Sequence, residues 1–556
     1  MTRYQGPSGR VRGNPGSAQF KFSESQLGSI QRSVFNRSHG HKTTFNEGYL
    51  IPIFVDEVLP GDTFNMRMTA MCRMLSPLFN PIMDNMYLES FWFFCPSRIL
   101  WNNWERFNGA QDDPADTTDY TVPQIVAPVG GIASGDLGDY FGLPIGIANL
   151  PSVNSLPFRM YNMVFREWFR DENLQNSPVV DLDDGPDTYT DYVLLRRGKR
   201  KDYFTSALPW TQKINDGTTV TIGLAGQAPV TGFGKLNQTF TESNVAVYES
   251  NGTHPTYTYA AYFNPALANE EFRVKGTAAA GGYPMVFADL SAASGISVNA
   301  LRQAVQLQRL FERDARGGTR YVEILWSHFQ VRSSDARLQR PELLGTGYSM
   351  VNVHPVPQTS GSGQTGQTTY QGNLAAFATS SVHGHGFRKS FEEHGYVMGI
   401  VCVRADLNYQ QGVERMWSRS TRYDYFWPAL AHIGEQAILN QEIYLSTNAG
   451  DNAAAFGYTG RYNEYRFKPS IVSGLIRSAA AGSLDSWHLA QQFGSLPTLG
   501  DTFIQENAPM DRITAVTTVP HFIIDAEFNY KCARPLFGKS LIQSRFVSSL
   551  SQTYHH

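Results

Sequence analysis

The chain has 556 residues, 42% of them hydrophobic and 13% aromatic, with a formal net charge of −3; this composition excludes a disordered chain and can supply a large core. Charged residues make up 17%, below the ~25% typical of soluble chains, as expected of a β protein with a Ser/Thr/Asn surface or of a chain largely covered by partners. Length alone suggests about three or four domains, but an all-β sandwich often exceeds that size as one unit.

Residues 1–42 carry Arg3, Arg10, Arg12, Lys21, Arg32, Arg37 and Lys42 against Glu24, a net of +6 that leaves −9 for the remainder. A Gly/Pro/Ser-rich basic arm on an acidic body suits contact with nucleic acid; the alternative is a terminus with incidental charge. The opening MTRYQGPSGRVRGNPGSAQF lacks the apolar core of a signal peptide, and no run approaches the ~20 apolar residues of a membrane span. A soluble protein made in a reducing cytoplasm is expected. Cys72, Cys95, Cys402 and Cys532 form no CxxC pair, so buried free thiols are expected rather than disulfides or a zinc site.

In 45–77 an apolar strand meets a Pro-Gly-Asp turn and then a strictly alternating strand. Over 63–73, Phe64, Met66, Met68, Ala70 and Cys72 share one face; Asn65, Arg67, Thr69, Met71 and Arg73 share the other. Period two of this length predicts a half-buried antiparallel strand. The continuous apolar runs at 86–95 and 396–404 predict strands buried on both faces. Residues 521–532 alternate again, with even positions apolar. Strands this scattered fit a Greek-key or jelly-roll sandwich with long loops.

Helices are expected in the excursions. One spans 297–316, capped by Ser297, with Val298, Leu301, Ala304, Val305, Leu307 and Phe311 at helical spacing and Gly317-Gly318 ending it. A second starts at Pro428 and runs through Ile433 and Ala437 to about Leu439; a third covers 158–169. Residues 211–269 hold only five charged residues, and such a long loop is either functional or disordered. Residues 358–372 read as a shorter flexible loop.

Few motifs carry chemistry. Gly361, Gly363 and Gly366 spell GxGxxG, but no helical pattern follows, so a dinucleotide site is not expected. His383, His385 and His394 lack an acidic or thiol partner at regular spacing for a metal site. Asp181, Asp183, Asp184 and Asp187 are dense, but Gly185 and Pro186 break the calcium-loop pattern, and a solvated turn is expected. No GxSxG, HExxH, P-loop or Cys-His arrangement occurs. The run RRGKRK at 196–201 reads, in isolation, as a localisation or anion patch. In 415–427, Arg415, Arg419 and Arg422 interleave with Trp417, Tyr423, Tyr425 and Trp427. Such a pattern can neutralise phosphates and stack on single-stranded bases; otherwise the aromatics are core and the arginines bind acidic neighbours at an interface.

FNEGYLIPIFVDEVLPGDTFNMRMTAMCRMLSP (45–77) and MDNMYLESFWFFCPSRILWNNWERF (83–107) resemble the major capsid protein of the gokushovirus branch of Microviridae, small icosahedral single-stranded DNA bacteriophages. The similarity continues through GKRKDYFTSALPW (198–210), the block 311–345, FEEHGYVMGIVCVRADLNYQQG (391–412), the block 417–444, YNEYRFKPSIVSGLIRS (462–478) and FNYKCARPLFG (528–538).

The resemblance implies an all-β, eight-stranded antiparallel jelly roll of viral capsid type, with a basic arm at 1–42 and a capsid domain at 43–556. About 211–285 would be the variable insertion, projecting near three-fold axes toward a host surface receptor. Sixty copies would close a T=1 shell around circular single-stranded DNA, helped by an internal scaffolding protein in the bacterial cytoplasm, with no cofactor and no catalysis. Candidate nucleic-acid contacts are Arg3, Arg10, Arg12 and Lys21 on the arm, with Arg415, Trp417, Arg419 and Arg422. A rival reading is a cytoplasmic β-sandwich enzyme or carbohydrate-binding module, since jelly rolls host both.

Overall fold

Two alternating segments more than four hundred residues apart meet at the centre of the molecule. The computed structural model describes residues 32–113, 115–117, 119–126, 128–148, 151–211, 227–229, 287–289, 298–317, 323, 327, 339–359, 362–364, 367–369, 372–431 and 433–536. The chain divides into two compact units, one of residues 1–211 with 332–556 and one of residues 212–331. The longer strands of the first unit are β1 (Ser33–Asn36), β2 (His39–Phe45), β3 (Ile51–Val58), β4 (Thr63–Met74), β5 (Met86–Pro96), β6 (Glu342–Pro357) and β7 (Leu374–Ser390). They continue with β8 (Gly395–Ala405), β9 (Glu435–Leu439), β10 (Ala455–Gly460) and β11 (Phe522–Arg534).

Strands β2, β11, β4 and β7 pair in that order to form one face, and β6, β5, β8 and β3 form the other. Pairing is antiparallel throughout, and the chain crosses between faces at β2–β3, β3–β4, β4–β5, β6–β7 and β7–β8. This is the expected eight-stranded jelly roll. Strand β6 pairs with β5 up to Val351 and with β7 from Asn352, which joins the faces into one curled sheet. Gly386 is required where β7 crosses β4: a Cβ there would lie 2.0 Å from the carbonyl oxygen of Met66.

The alternation holds as expected. From Phe64 to Met74 and from Phe522 to Cys532 every even-numbered side chain is buried, and Asn65 to Arg73 face outward. Between the faces, Phe54 meets Trp92, Phe528 and Tyr530 edge-on with ring centres 5.4–5.6 Å apart. The Tyr530 hydroxyl donates to Asp56 at 2.6 Å, and Arg37 pairs with the same carboxylate. Arg37 and Lys42, counted above with the arm, thus belong to the sheet edge, which begins at Ser33.

Strands β5 and β8 are buried on both faces, as their continuous apolar runs require. The outer cover comes from the excursion after β5, whose helix α1 (Leu156–Val164) runs on as a π-turn to Phe169. Trp101, Phe158, Met160 and Phe165 pack there with Phe93, Cys95, Met398 and Ile400. The fully buried Tyr161 donates to the Leu50 carbonyl at 2.8 Å and accepts the Leu195 N–H at 3.0 Å.

The structure corrects three readings. The stretch 181–187 is not simply a solvated turn: Asp187 and Arg159 are both fully buried and doubly hydrogen-bonded, with Tyr192 donating to the same carboxylate at 2.6 Å. Burial acts to raise the Asp187 pKa, but the Arg159 and Tyr192 hydrogen bonds outweigh it and hold the carboxyl below its ordinary range. The helix expected over 428–439 is a single 3-10 turn at Pro428–Leu430 followed by β9, which pairs with β10; Gly434, at φ +126, separates them. Within 358–372, Ser362–Gln364 pairs with Gln367–Thr369 as a hairpin rather than a structureless loop.

All four cysteines are free and buried in strands, and burial pushes the Cys72 thiol up to about 12. In the second unit, α2 (Val298–Gly317) forms where the periodicity places it, and Gln227–Pro229 pairs with Phe287–Asp289. Val305 and Leu307 of α2 are exposed rather than buried.

Truncating one inward ring tests the alternation. Phe528→Ala should lower stability by about 3–5 kcal/mol in denaturant unfolding, whereas Met71→Ala on the opposite face should change it by no more than ~0.5 kcal/mol.

Candidate interaction surface

The surface that matters is shaped first by the charges that are not on it. The run 196–201 is threaded through the protein: the Lys199 N–H donates to the Ile504 carbonyl and the Glu506 N–H to the Arg197 carbonyl, both at 2.7 Å. Glu89, the lone acid in the apolar run of β5, accepts from Arg404 at 3.0 and 3.2 Å, from Arg200 at 3.2 Å and from Arg197. Arg196 lies over the Tyr49 ring at 4.2 Å, Lys199 over Phe503 at 4.2 Å, and Lys201 pairs with Asp171. Every cation of the run has an internal partner. The expected anion patch is a structural clamp instead.

Glu506 sits beside this clamp with its Oε1 accepting the Ala405 N–H at 3.1 Å and its Oε2 unpartnered. Burial pushes its pKa up to about 7 and that of Lys199 down to about 8. The folded chain therefore keeps the Glu506 proton at pH values where the unfolded chain has lost it. Its contribution to stability falls as pH rises from about 4.5 to about 7, by about 3 kcal/mol. In Glu506→Gln that fall should disappear, read from denaturant midpoints between pH 5 and pH 8.

The 406–521 excursion carries its own small core of Ile438, Ile443, Phe456 and Phe503 packed with Tyr203 and Phe204. On this base two buried carboxylates hold the 415–427 segment. Arg415 donates to the Ala437 carbonyl at 2.7 Å and to Glu442 at 3.1 Å; Arg419 pairs with Glu464 at 3.3 Å and lies over the Tyr465 ring at 4.2 Å. Asp424 accepts the Ser420 and Thr421 N–H groups at 3.0 and 2.6 Å, closing the turn. Arg422 lies over Trp427 at 4.6 Å, and the Trp427 ring N–H donates back to the Arg422 carbonyl at 3.0 Å.

Of the four residues expected here as nucleic-acid contacts, Arg415 and Arg419 are thus bound to acids of the same chain, while Trp417 and Arg422 face outward. The aromatics are not core either. Trp417 is 73% exposed, Tyr423 66% and Tyr425 56%, with Met416 and Phe426 also outside. Ile471 lines the same groove as Trp417 and is itself exposed. Exposed aromatic side chains on a loop held by ion pairs are the mark of a protein–protein contact.

Arg3, Arg10, Arg12 and Lys21 lie outside the described residues, as does the insertion at 211–285 apart from Thr211 and Gln227–Pro229. His385 hydrogen-bonds Ser90 at 2.9 Å, His383 is separated from it by a bulge at Gly384, and His394 packs on Trp104. Sequence reasoning missed Glu89, Glu442, Glu464 and Glu506. The only local signal was Glu89, a lone carboxylate inside an otherwise apolar strand.

A family model described as capsid protein (F protein) matches residues 23–541. The chain is 47% identical to capsid protein VP1 of Bdellovibrio phage phiMH2K, over 94% of this chain and 97% of that protein. It is 44% identical to capsid protein VP1 of Chlamydia phage 1 over the same shares, and 36% identical to that of Spiroplasma virus 4 over 91% and 94%. These matches leave the enzyme or carbohydrate-binding reading without support. A jelly roll with an outward aromatic patch, alike from end to end to three capsid proteins, belongs to the capsid protein (F protein) family as a gokushovirus-type major capsid subunit of the virion.

Proposed function

We propose that sixty copies of this chain close a T=1 shell around a circular single-stranded DNA genome, assembling in the bacterial cytoplasm with an internal scaffolding protein and without catalytic activity. The observation that carries the reading is the rigid, exposed patch of Trp417, Tyr423, Tyr425 and Phe426. Aromatic side chains of this kind dominate binding energy at protein interfaces, and each specific contact in a closed assembly must bury at least ~1,000 Å². Trp417→Asp with Tyr425→Ser should leave a folded subunit, since both side chains are exposed. Shells should be lost in electron micrographs and sedimentation should report free subunits. Undiminished shell formation would remove the patch from the assembly contacts.

The domain division follows the same reading. The basic arm, with Arg3, Arg10, Arg12 and Lys21, contacts the genome, while Arg415 and Arg419 set the loop that presents Trp417 and Arg422. The insertion at about 211–285 projects near the three-fold axes and meets the host surface. Its support is composition: few charges and many Thr, Asn, Gly and Tyr residues suit adaptable polar contacts with stacking surfaces. Deleting 212–285 and joining the flanks with a short linker should preserve shells in micrographs while infectivity falls. Loss of subunit folding would instead make the segment part of the shell proper.

A further inference from the structure

The outward face of β11, β4 and β7 carries several cations that, unlike those of the clamp, have no ion pair among the described residues. Cross-strand register fixes their arrangement. Asn65 of β4 stands between Lys531 of β11 and Arg388 of β7; in the next row Arg67 stands between Asn529 and Gly386. Arg388 and Lys531 are therefore about 10 Å apart, two strand spacings, and Arg67 is the diagonal neighbour of both at about 7–8 Å. All three are exposed, and none has an ion pair among the described residues.

The cluster continues at its corner. Arg32 donates to the Thr63 hydroxyl, which also contacts Ser390 at 2.9 Å, so a fourth cation joins the same face. The surrounding side chains, Thr63, Asn65, Ser390 and Asn529, are uncharged hydrogen-bonding groups. One carboxylate lies as close as these cations: Glu527, opposite Thr69, is also a diagonal neighbour of Arg67, while Asp525, opposite Met71, is already paired with Lys42 at 3.1 Å. Arg73 lies at the far end, opposite Ile523.

Four cations at such spacing against the single carboxylate of Glu527 leave an excess of positive charge that a polyanion lying across the face would offset. Residue 32 is also where the segment carrying Arg3, Arg10, Arg12 and Lys21 joins the sheet. That segment is itself basic and cannot neutralise the cluster. Both have the same electrostatic requirement, and one occupant satisfies both.

We infer that the β11–β4–β7 face is a binding site for the phosphate backbone of single-stranded nucleic acid, with Arg32, Arg67, Arg388 and Lys531 contacting phosphates and Asn65 and Asn529 bonding sugars or bases. The site is distinct from the arm and from the 415–427 segment, and it rests on the reading of a shell closed around single-stranded DNA. A largely polar sheet face with cations at one corner reads no sequence; it attracts any single strand through counterion release.

The test measures binding of full-length, unassembled subunits to polythymidylate across a salt series, comparing the parent with Arg67→Gln/Arg388→Gln/Lys531→Gln. Losing three phosphate contacts should make the slope of log affinity against log salt shallower by about 2. A charge-keeping variant, Arg67→Lys/Arg388→Lys/Lys531→Arg, should retain the parent slope. Circular dichroism of the Gln variant should match the parent, since the three side chains are exposed. An unchanged slope in the Gln variant overturns the site, as does polyglutamate binding the parent as tightly as polythymidylate, which would make the occupant an acidic peptide. If the parent itself shows no binding and its particles hold no nucleic acid, the genome-enclosing reading fails first. If the parent binds and the Gln variant binds equally, this face alone is wrong.

Discussion

Strands β5 and β8, at the centre of the β6–β5–β8–β3 sheet, are apolar on both sides, and strands of that kind must be covered twice. One cover is the opposite face of the jelly roll, through Phe64, Met66, Phe522 and Phe528. The other has to come from outside the eight strands, and the excursion after β5 supplies it with Trp101, Phe158 and Tyr161. Fully burying a side chain of this size contributes about 1.5–3 kcal/mol relative to leaving it exposed, so the outer layer is a large part of the fold rather than decoration. The consequence is asymmetric. The β2–β11–β4–β7 face needs no second cover, because its outward side chains are mostly polar, and among the described residues it stays exposed.

The same constraint explains the placement of charge. A carboxylate on a doubly covered sheet is costly unless it is paired. Glu89 is in that position on β5, and three arginines from two distant segments converge on it. Arg197 responds: burial, then repulsion from Arg404, lowers its pKa to about 10. Asp187 and Arg159 repeat the pattern one layer out. The Glu89 clamp ties the 97–211 excursion to the sheet and consumes positive charges whose clustering in sequence had suggested a surface for anions. The backbone bonds of Lys199 and Arg197 to Ile504 and Glu506 join the 406–521 excursion to the same run.

Much of the strand framework was legible because period two is a local property. Residues 63–73 and 521–532 announce both their conformation and their inward face without reference to anything else. The doubly buried strands at 86–95 and 396–404 were legible as continuous apolar runs. What failed depended on partners far along the chain. The run 196–201 looks like a patch until Glu89, Phe503 and Glu506 are placed beside it, and nothing near it in sequence names them. Asp187 looks solvated until Arg159 arrives from α1. The 428–439 stretch has helical spacing, yet β10 offers Glu435–Leu439 a ladder and Gly434 breaks the helix before it. Local propensity lost to tertiary pairing there, as it commonly does for short segments.

The 415–427 segment was half legible, and the half that was missed changes its meaning. Arginines alternating with aromatics do signal a binding surface, but the pattern cannot say which residues bind and which hold. Glu442 and Glu464 decide it by taking Arg415 and Arg419 inward, leaving the rings outside. A loop fixed by at least six hydrogen bonds before it meets a partner loses little conformational freedom on docking, and that lowers one of the main costs of association. The arginines therefore contribute to binding without touching the partner. On the open β11–β4–β7 face the division is reversed: the sheet itself provides rigidity, so its arginines need no internal acids and remain free to meet an external anion. One residue type serves two purposes in this chain, and the presence or absence of a buried carboxylate separates them.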